Sequence, residues 1–210
     1  MCGYRAALWP DTEDDARSQR RIDWYLDEVS ERKFAICDLD GTLLDSDSAL
    51  VDAFLALGVG RSEISYGHVI AEECLRLGIS LHDYVEAYDT EAAQPFAGVG
   101  EVIDLLEEWA ICSNKHVVSG RAELVRLDWH PRSALFSDAF NGPKRLAPLL
   151  ENLNLDPSRV IFVGDTDHDR RCAQDAGVAF AIAAWNPRAV VTAGDIVLEH
   201  PSDLIGVLGL

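Results

Sequence analysis

Lysine is scarce in this chain: Lys33, Lys115 and Lys144 are the only three in 210 residues, against fifteen arginines. With 36 acidic and 18 basic residues the formal net charge is -18. Such a surface repels nucleic acid and anionic membranes, so neither is expected as a partner. Low lysine with abundant aspartate fits two explanations equally, an acidic surface suited to high salt or a lysine-poor, GC-rich genome. No segment approaches the ~18 consecutive apolar residues of a membrane helix, and the N-terminus has no long apolar stretch. Five cysteines (Cys2, Cys37, Cys74, Cys112 and Cys172) form no close C-x-x-C pair. Cys37 and Cys112 sit in apolar runs, where cysteine behaves as a small hydrophobe. A reducing cytoplasm is the expected location. There is no internal repeat and no low-complexity segment. The length suits one domain, or one domain with a modest insert, and can bury a substantial core.

The most informative segment is KFAICDLDGTLLDSD, residues 33–47. Its apolar run ends abruptly at Asp38-Leu39-Asp40, and Gly41-Thr42 follows. Alternate side chains of a strand share a face, so two carboxylates spaced by two converge where the strand ends. That arrangement suits a divalent cation and a nucleophile. An aspartate can form an acyl-phosphate, and a second carboxylate nearby can act as general acid and base. Gly41 permits a sharp turn after the pair. A strand ending in a solvated acidic turn is the plainer alternative.

Three further segments argue against that alternative. ICSN, residues 111–114, is an apolar run ending in a hydroxyl and an amide. Lys144 follows, and then VIFVGDTDHD, residues 160–169, is an apolar run ending in a carboxylate cluster. With these four pieces in order, residues 33–205 resemble the haloacid dehalogenase superfamily, which is mostly phosphatases. The resemblance implies that Asp38 is the nucleophile and Asp40 the general acid and base. It makes Ser113 a phosphate-oxygen donor and Lys144 the basic residue joining nucleophile and phosphoryl group; Arg145 is the alternative for that role. Asp38, the Asp40 backbone carbonyl and Asp165 would hold Mg2+, with Asp169 behind them or acting through water. Gly41, Thr42, Ser113, Asn114 and Lys144 are the implied substrate contacts in the core.

Phosphoryl transfer needs positioning and charge neutralisation above all. A hard cation with oxygen ligands supplies both. A compact ammonium reaching a phosphate differs from a planar guanidinium, which would explain lysine beside these motifs in a lysine-poor chain; chance placement is the alternative. An unperturbed Asp has a pKa of ~3.9, so Asp40 donates a proton near neutrality only if its surroundings raise that value.

Strand-like runs at 34–38, 109–113, 135–137, 160–164, 179–184 and 196–198 alternate with helical patterns. This predicts an α/β fold, a Rossmann-like, doubly wound parallel sheet. In such sheets ligands bind beyond the carboxyl ends of strands, where Asp38, Ser113 and Asp165 would lie. Residues 99–109 place Val102, Leu105, Leu106 and Trp109 on one helical face. Residues 33–45 and 96–210 form the expected core. Residues 46–95 interrupt the alternation with helix-like patterns and a helix stop at Gly78; the resemblance implies that this insert is a small helical cap, which closes over a small substrate. Arg61, His68 and Arg76 are the cap residues best suited to contact substrate; for His68 and Arg76 a solvated helix face is the favoured reading, which leaves Arg61. Residues 1–32 are expected to form an N-terminal helical extension with an apolar stripe of Ile22, Tyr25, Leu26 and Val29. It would pack on the core, in a dimer interface, or as a partner-binding arm.

His168, between two acids, reads as a loop residue, since magnesium prefers oxygen ligands. His116, His130 and His200 have no spacing that suggests a transition-metal site. Within the superfamily, Asp40 argues against a dehalogenase, and the absence of lysine from residues 46–95 argues against a Schiff-base phosphonatase. The expected function is a magnesium-dependent phosphatase acting on a small phosphorylated metabolite, similar to phosphoglycolate phosphatases, as a monomer or homodimer. A phosphomutase and a non-catalytic assembly protein are the alternatives.

Overall fold

The computed structural model describes residues 33–66 and 68–210; the expected N-terminal helical extension lies outside the described residues. From Lys33 onward β1 (Phe34–Cys37) leads through β2 (Leu44–Asp45) to helices α1 (Asp47–Ala56), α2 (Ile70–Leu77) and α3 (Leu81–Ala87), and the chain returns by β3 (Gln94–Pro95). There follow α4 (Val99–Ile103), β4 (Trp109–Cys112), α5 (Val117–Arg126), β5 (Ser133–Leu135) and α6 (Ala147–Leu153). The chain ends with β6 (Val160–Gly164), α7 (Asp167–Ala176), β7 (Ala179–Ala183), β8 (Ile196–Leu198) and α8 (Asp203–Leu208).

Six strands form one parallel sheet in the order β5-β4-β1-β6-β7-β8. This is the doubly wound α/β arrangement expected from the alternation of apolar runs and helices. The strands read as continuous apolar runs because both sheet faces are covered. Ala35 and Cys37 face one core with Ile111, Ile161 and Val163, against Phe54, Tyr84 and Val102. Ile36 points to the other face with Ala110, Phe162 and Ile182, against Leu146 and Leu149. Cys37 and Cys112 are fully buried within the strands, as their apolar settings predicted.

β1 lies between β4 and β6. The chain turns to one side of β1 for β4 and β5, then crosses to the other for β6, β7 and β8, so the crevice at this switch point opens at the ends of the three motif-bearing strands. The short β2 and β3 pair antiparallel, Leu44 opposite Pro95 and Asp45 opposite Gln94. Both connections to the helical segment between them therefore leave side by side. Within that segment α2 stops at Gly78, which adopts a left-handed conformation.

Two expected elements differ. The third sheet strand is Ser133–Leu135 rather than 135–137, and residues 137–139 form a 3-10 turn. β5 is an edge strand of half-buried residues, so it carries a weak apolar signal, whereas the more conspicuous Phe136 is buried just after the strand ends. The helix expected over 99–109 stops at Ile103. Leu105 is exposed, and Trp109 instead opens β4 in register with Ala35. The helical spacing of Trp109 was coincidental; strand pairing places that residue.

Phe162, fully buried in the central β6, tests this core. Phe162→Ala is expected to lower the unfolding free energy by ~3–5 kcal/mol, read from urea denaturation followed by circular dichroism.

Candidate active site

The ends of β1, β4 and β6 bring Asp38, Ser113 and Asp165 to one crevice. Asp38 N still donates to Val163 O across the sheet (2.8 Å), and Ser113 N donates to Leu135 O (3.0 Å). The chain then turns sharply, and Gly41 N donates to Leu44 O (2.8 Å) with Gly41 at φ +79°. A side chain here would also collide with Asp165, since a Cβ would stand 2.4 Å from its Oδ2. The glycine is thus required twice, by backbone conformation and by the approach of the third-motif carboxylate. Gly164 has a similar reason: its Cβ would fall 2.4 Å from the Asp169 side chain.

Asp165 is held from both sides. Thr42 Oγ1 donates to its Oδ1 (3.1 Å), and Asn186 Nδ2 donates to its Oδ2 (2.9 Å) and to Gly41 O (2.7 Å). Thr42 is completely buried, and its carbonyl accepts from Trp185 Nε1. Gly41 and Thr42 therefore support Asp165, and neither lines the pocket. This replaces the expectation that they touch substrate.

One oxygen from each of Asp38, Asp165 and Asp169 lies within 4.8 Å of the others. Lys144 Nζ stands 2.7 Å from Asp38 Oδ1 and 2.6 Å from Asp169 Oδ1. Asn114 Oδ1 accepts from Lys144 N (2.8 Å), so this amide also orients the lysine's loop. Arg145 is exposed; Lys144 is the cation at the cluster. Asp169 also caps α7, its Oδ2 accepting from Thr166 N (2.9 Å) and Oγ1 (2.6 Å).

The site is overloaded with negative charge. Burial, and after it Asp169 and Asp40 working against Lys144, push Asp38 up to about 6. Burial and then the charges of Asp169 and Asp38 push Asp165 up to about 8. Burial alone would lower Lys144, but Asp169 and Asp38 hold its pKa above the ordinary lysine range. Three carboxylates facing one ammonium form a donor set suited to a hard divalent cation such as Mg2+.

A second lysine, which sequence reasoning did not place among the site residues, stands beside the first. Lys115 Nζ lies 2.6 Å from Asp40 Oδ1 and 2.9 Å from Glu123 Oε1, and donates to Tyr88 Oη (2.7 Å). Tyr88 Oη in turn donates to Glu123 Oε1 (2.9 Å). The available signal was its position directly after Ser113-Asn114 in a chain with three lysines.

The pocket over these groups is lined by Asp38, Asp40, Ser113, Asn114, Lys144 and Asp165 from the core. Tyr66, His68 and Tyr84 contribute from the helical segment, and Arg188 from the loop after β7. Arg188 pairs with Asp47 and lies 4.3 Å from the centre of the Tyr66 ring; as one arginine among fifteen it gave no sequence signal. Arg61, the expected cap contact, is exposed in a 3-10 turn and is absent from the pocket wall. Arg76 is taken up by Glu73, Nε donating to Oε2 at 2.8 Å. His68, read as solvated, lines the pocket, and its ring meets that of His168 edge-on at 5.2 Å. His168 lies in the first turn of α7, not in a loop.

Residues 35–183 match the family model described as haloacid dehalogenase-like hydrolase. The chain belongs to this family. It is 25% identical to an N-acetylmuramic acid 6-phosphate phosphatase of Pseudomonas aeruginosa, over 84% of this chain and 94% of that protein. It is 27% identical to a phosphoglycolate phosphatase of Xylella fastidiosa, with the same coverage. The structure of a hydrolase of this superfamily (subfamily IA, variant 1) from Geobacter sulfurreducens superposes with a TM-score of 0.59 at 24% identity, covering 85% of this chain and 97% of that one; the likeness establishes a shared fold. Among the described residues no helix is long and apolar enough to cross a membrane.

The raised carboxylates yield a prediction for the metal-free protein. Asp38 and Asp165 bind protons in the folded state above 3.8, where the unfolded chain has released them. Their contribution to stability is therefore present below pH 3.8 and lost as pH rises toward about 8. Mg2+ should replace those protons. Thermal unfolding should show a larger upward shift from Mg2+ at pH 8 than at pH 5, and Asp165→Asn should abolish the difference.

Proposed function

We propose that this protein is a magnesium-dependent phosphatase that hydrolyses a small phosphomonoester through an aspartyl-phosphate on Asp38. The observation that carries the reading is the placement of Lys144 between Asp38 and Asp169 at 2.7 and 2.6 Å. This ammonium holds the nucleophile at the floor of the pocket and leaves a cation there for the phosphoryl oxygens.

In this mechanism an Asp38 oxygen attacks phosphorus in line with the ester oxygen. The bond from phosphorus to the leaving oxygen breaks, and Asp40 supplies the proton that oxygen needs. The resulting Asp40 carboxylate then takes a proton from water as that water attacks the phosphorus. The Asp38–phosphorus bond breaks, releasing inorganic phosphate and restoring both aspartates. Ser113, 1% exposed at the end of β4 and lining the pocket, is the proposed phosphate-oxygen donor. Asp38, Asp165 and the Asp40 backbone carbonyl would hold Mg2+, with Asp169 steadying Lys144 behind them. Bound there, the ion neutralises phosphate charge.

We assign the helical segment between β2 and β3 as a cap, on the ground that its Tyr66, His68 and Tyr84 form the pocket wall facing the core motifs. The two phosphatases to which the chain is similar differ in their named substrates, so the proposal extends to a small phosphorylated metabolite as a class. We place the protein in the cytoplasm; the four cysteines among the described residues are all unpaired and buried, as suits a reducing compartment.

The test is phosphate release from a panel of small phosphomonoesters with and without Mg2+. The wild type should require the metal. Asp38→Asn should reduce release to background, and Asp40→Asn should lower kcat by ~10²–10⁴-fold. Turnover that survives Asp38→Asn would contradict the covalent route.

A further inference from the structure

The core holds two buried ammonium groups, and each is set between a proposed catalytic carboxylate and a second, fully buried acid. Lys144 joins Asp38 to Asp169. Lys115 joins Asp40 to Glu123. The mechanism above uses the first pair and leaves the second without a role. We propose that Lys115 is a positioning residue for Asp40, fixing the general acid's carboxylate at the mouth of the pocket, and that Glu123 and Tyr88 in turn fix Lys115. This rests on the reading of Asp40 as proton donor.

The contacts account fully for Lys115. An ammonium has three N–H donors, and three oxygens surround it: Asp40 Oδ1 at 2.6 Å, Tyr88 Oη at 2.7 Å and Glu123 Oε1 at 2.9 Å. Its side chain is 5% exposed, whereas that of Asp40 is 31% exposed. Both line the pocket, and the ammonium is the more buried end of the clamp. With Oδ1 occupied by the ammonium, Oδ2 becomes the oxygen that carries the transferred proton. A planar guanidinium fork could not meet three oxygens converging on one point.

Structure alone does not call for this cluster. Burying a lysine and a glutamate is expensive, and apolar residues of similar volume often serve stability as well or better. Glu123 is 0% exposed, and its Oε2 has no hydrogen-bond partner. Such a cost is tolerable where the charge has a use, and the proposed catalytic group that the cluster holds is Asp40, beside which Lys115 and Tyr88 also line the pocket. The partners also come from separate elements. Glu123 projects from α5, Lys115 follows β4 directly, and Tyr88 caps the carboxyl end of α3 in the helical segment. The clamp therefore ties the orientation of Asp40 to the seating of that segment on the core.

Leaving-group dependence separates positioning of a proton donor from general structural support. An alkyl phosphate expels a basic alkoxide that needs a proton, whereas p-nitrophenyl phosphate expels a phenolate that hardly does. With saturating Mg2+, kcat/KM for both substrates is measured in wild type, Asp40→Asn, Lys115→Met, Lys115→Arg, Glu123→Gln and Tyr88→Phe, with folding checked by circular dichroism. Lys115→Met should lose ~10²-fold or more on the alkyl phosphate and under ~10-fold on the aryl one, following Asp40→Asn. Lys115→Arg should restore little of this. Tyr88→Phe removes one hydroxyl and should show the same asymmetry at smaller size, which keeps the test open if Lys115→Met fails to fold. Equal losses on both substrates, or no loss, would overturn the inference while leaving the phosphatase reading intact. An Asp40→Asn variant with no asymmetry would overturn the role of Asp40 and this inference with it. A wild type inactive on both substrates would overturn the phosphatase reading itself.

Discussion

Burial of several carboxylates side by side is the constraint to which the rest of this structure responds. Parallel pairing of β1 with β4 and β6 brings three motif segments to one crevice, and the turn of α7 delivers Asp169 beneath them. Burial first, and the neighbouring carboxylates after it, hold Asp38 and Asp165 above the ordinary carboxylate range. Lys144 supplies part of the counter-charge from inside the fold. The remainder is the demand that a divalent cation would meet, and under the proposed function a phosphoryl group would enter a site already arranged around that deficit.

Much of the surrounding detail follows from holding these acids in place. Gly41 has no side chain because Asp165 occupies the space, and Gly164 has none because Asp169 does. Thr42 and Asn186 grip the two oxygens of Asp165. Asn114 binds the backbone of Lys144. The chain's few lysines also gain a rationale. Two of the three are buried against acids at the site, where a compact ammonium can be surrounded by oxygens on several sides.

Legibility in the sequence followed the range over which each feature is determined. Asp38, Ser113 and Asp165 could be read because each ends an apolar run, and a run ending in a polar residue marks both a strand and its carboxyl end. The parallel sheet followed from the same alternation. Local signals misled where tertiary pairing overrode them: the helical stripe drawn to Trp109 overran a helix that stops at Ile103, although 109–113 also read as a strand, and β5 lies upstream of the conspicuous Phe136. His68 lines the pocket and Arg61 does not, because the fold of residues 46–95 decides which polar groups face inward, and helical spacing does not encode that. Arg188 was out of reach because its partner lies 141 residues away in the chain, and the contact of Glu123 with Tyr88 spans 35. Thr42 was read as a substrate contact, but its hydroxyl faces an aspartate 123 residues away.

The central claim, that Lys144 and its acids present Asp38 as a covalent nucleophile, is tested most directly by acid-quenching the protein during turnover with Mg2+ and mapping the modified peptide by mass spectrometry. The account predicts one added phosphoryl group on the peptide containing Asp38, and none in Asp38→Asn. Turnover that proceeds with no phosphorylated protein under any quench time, or with the phosphoryl group on another residue, would contradict it.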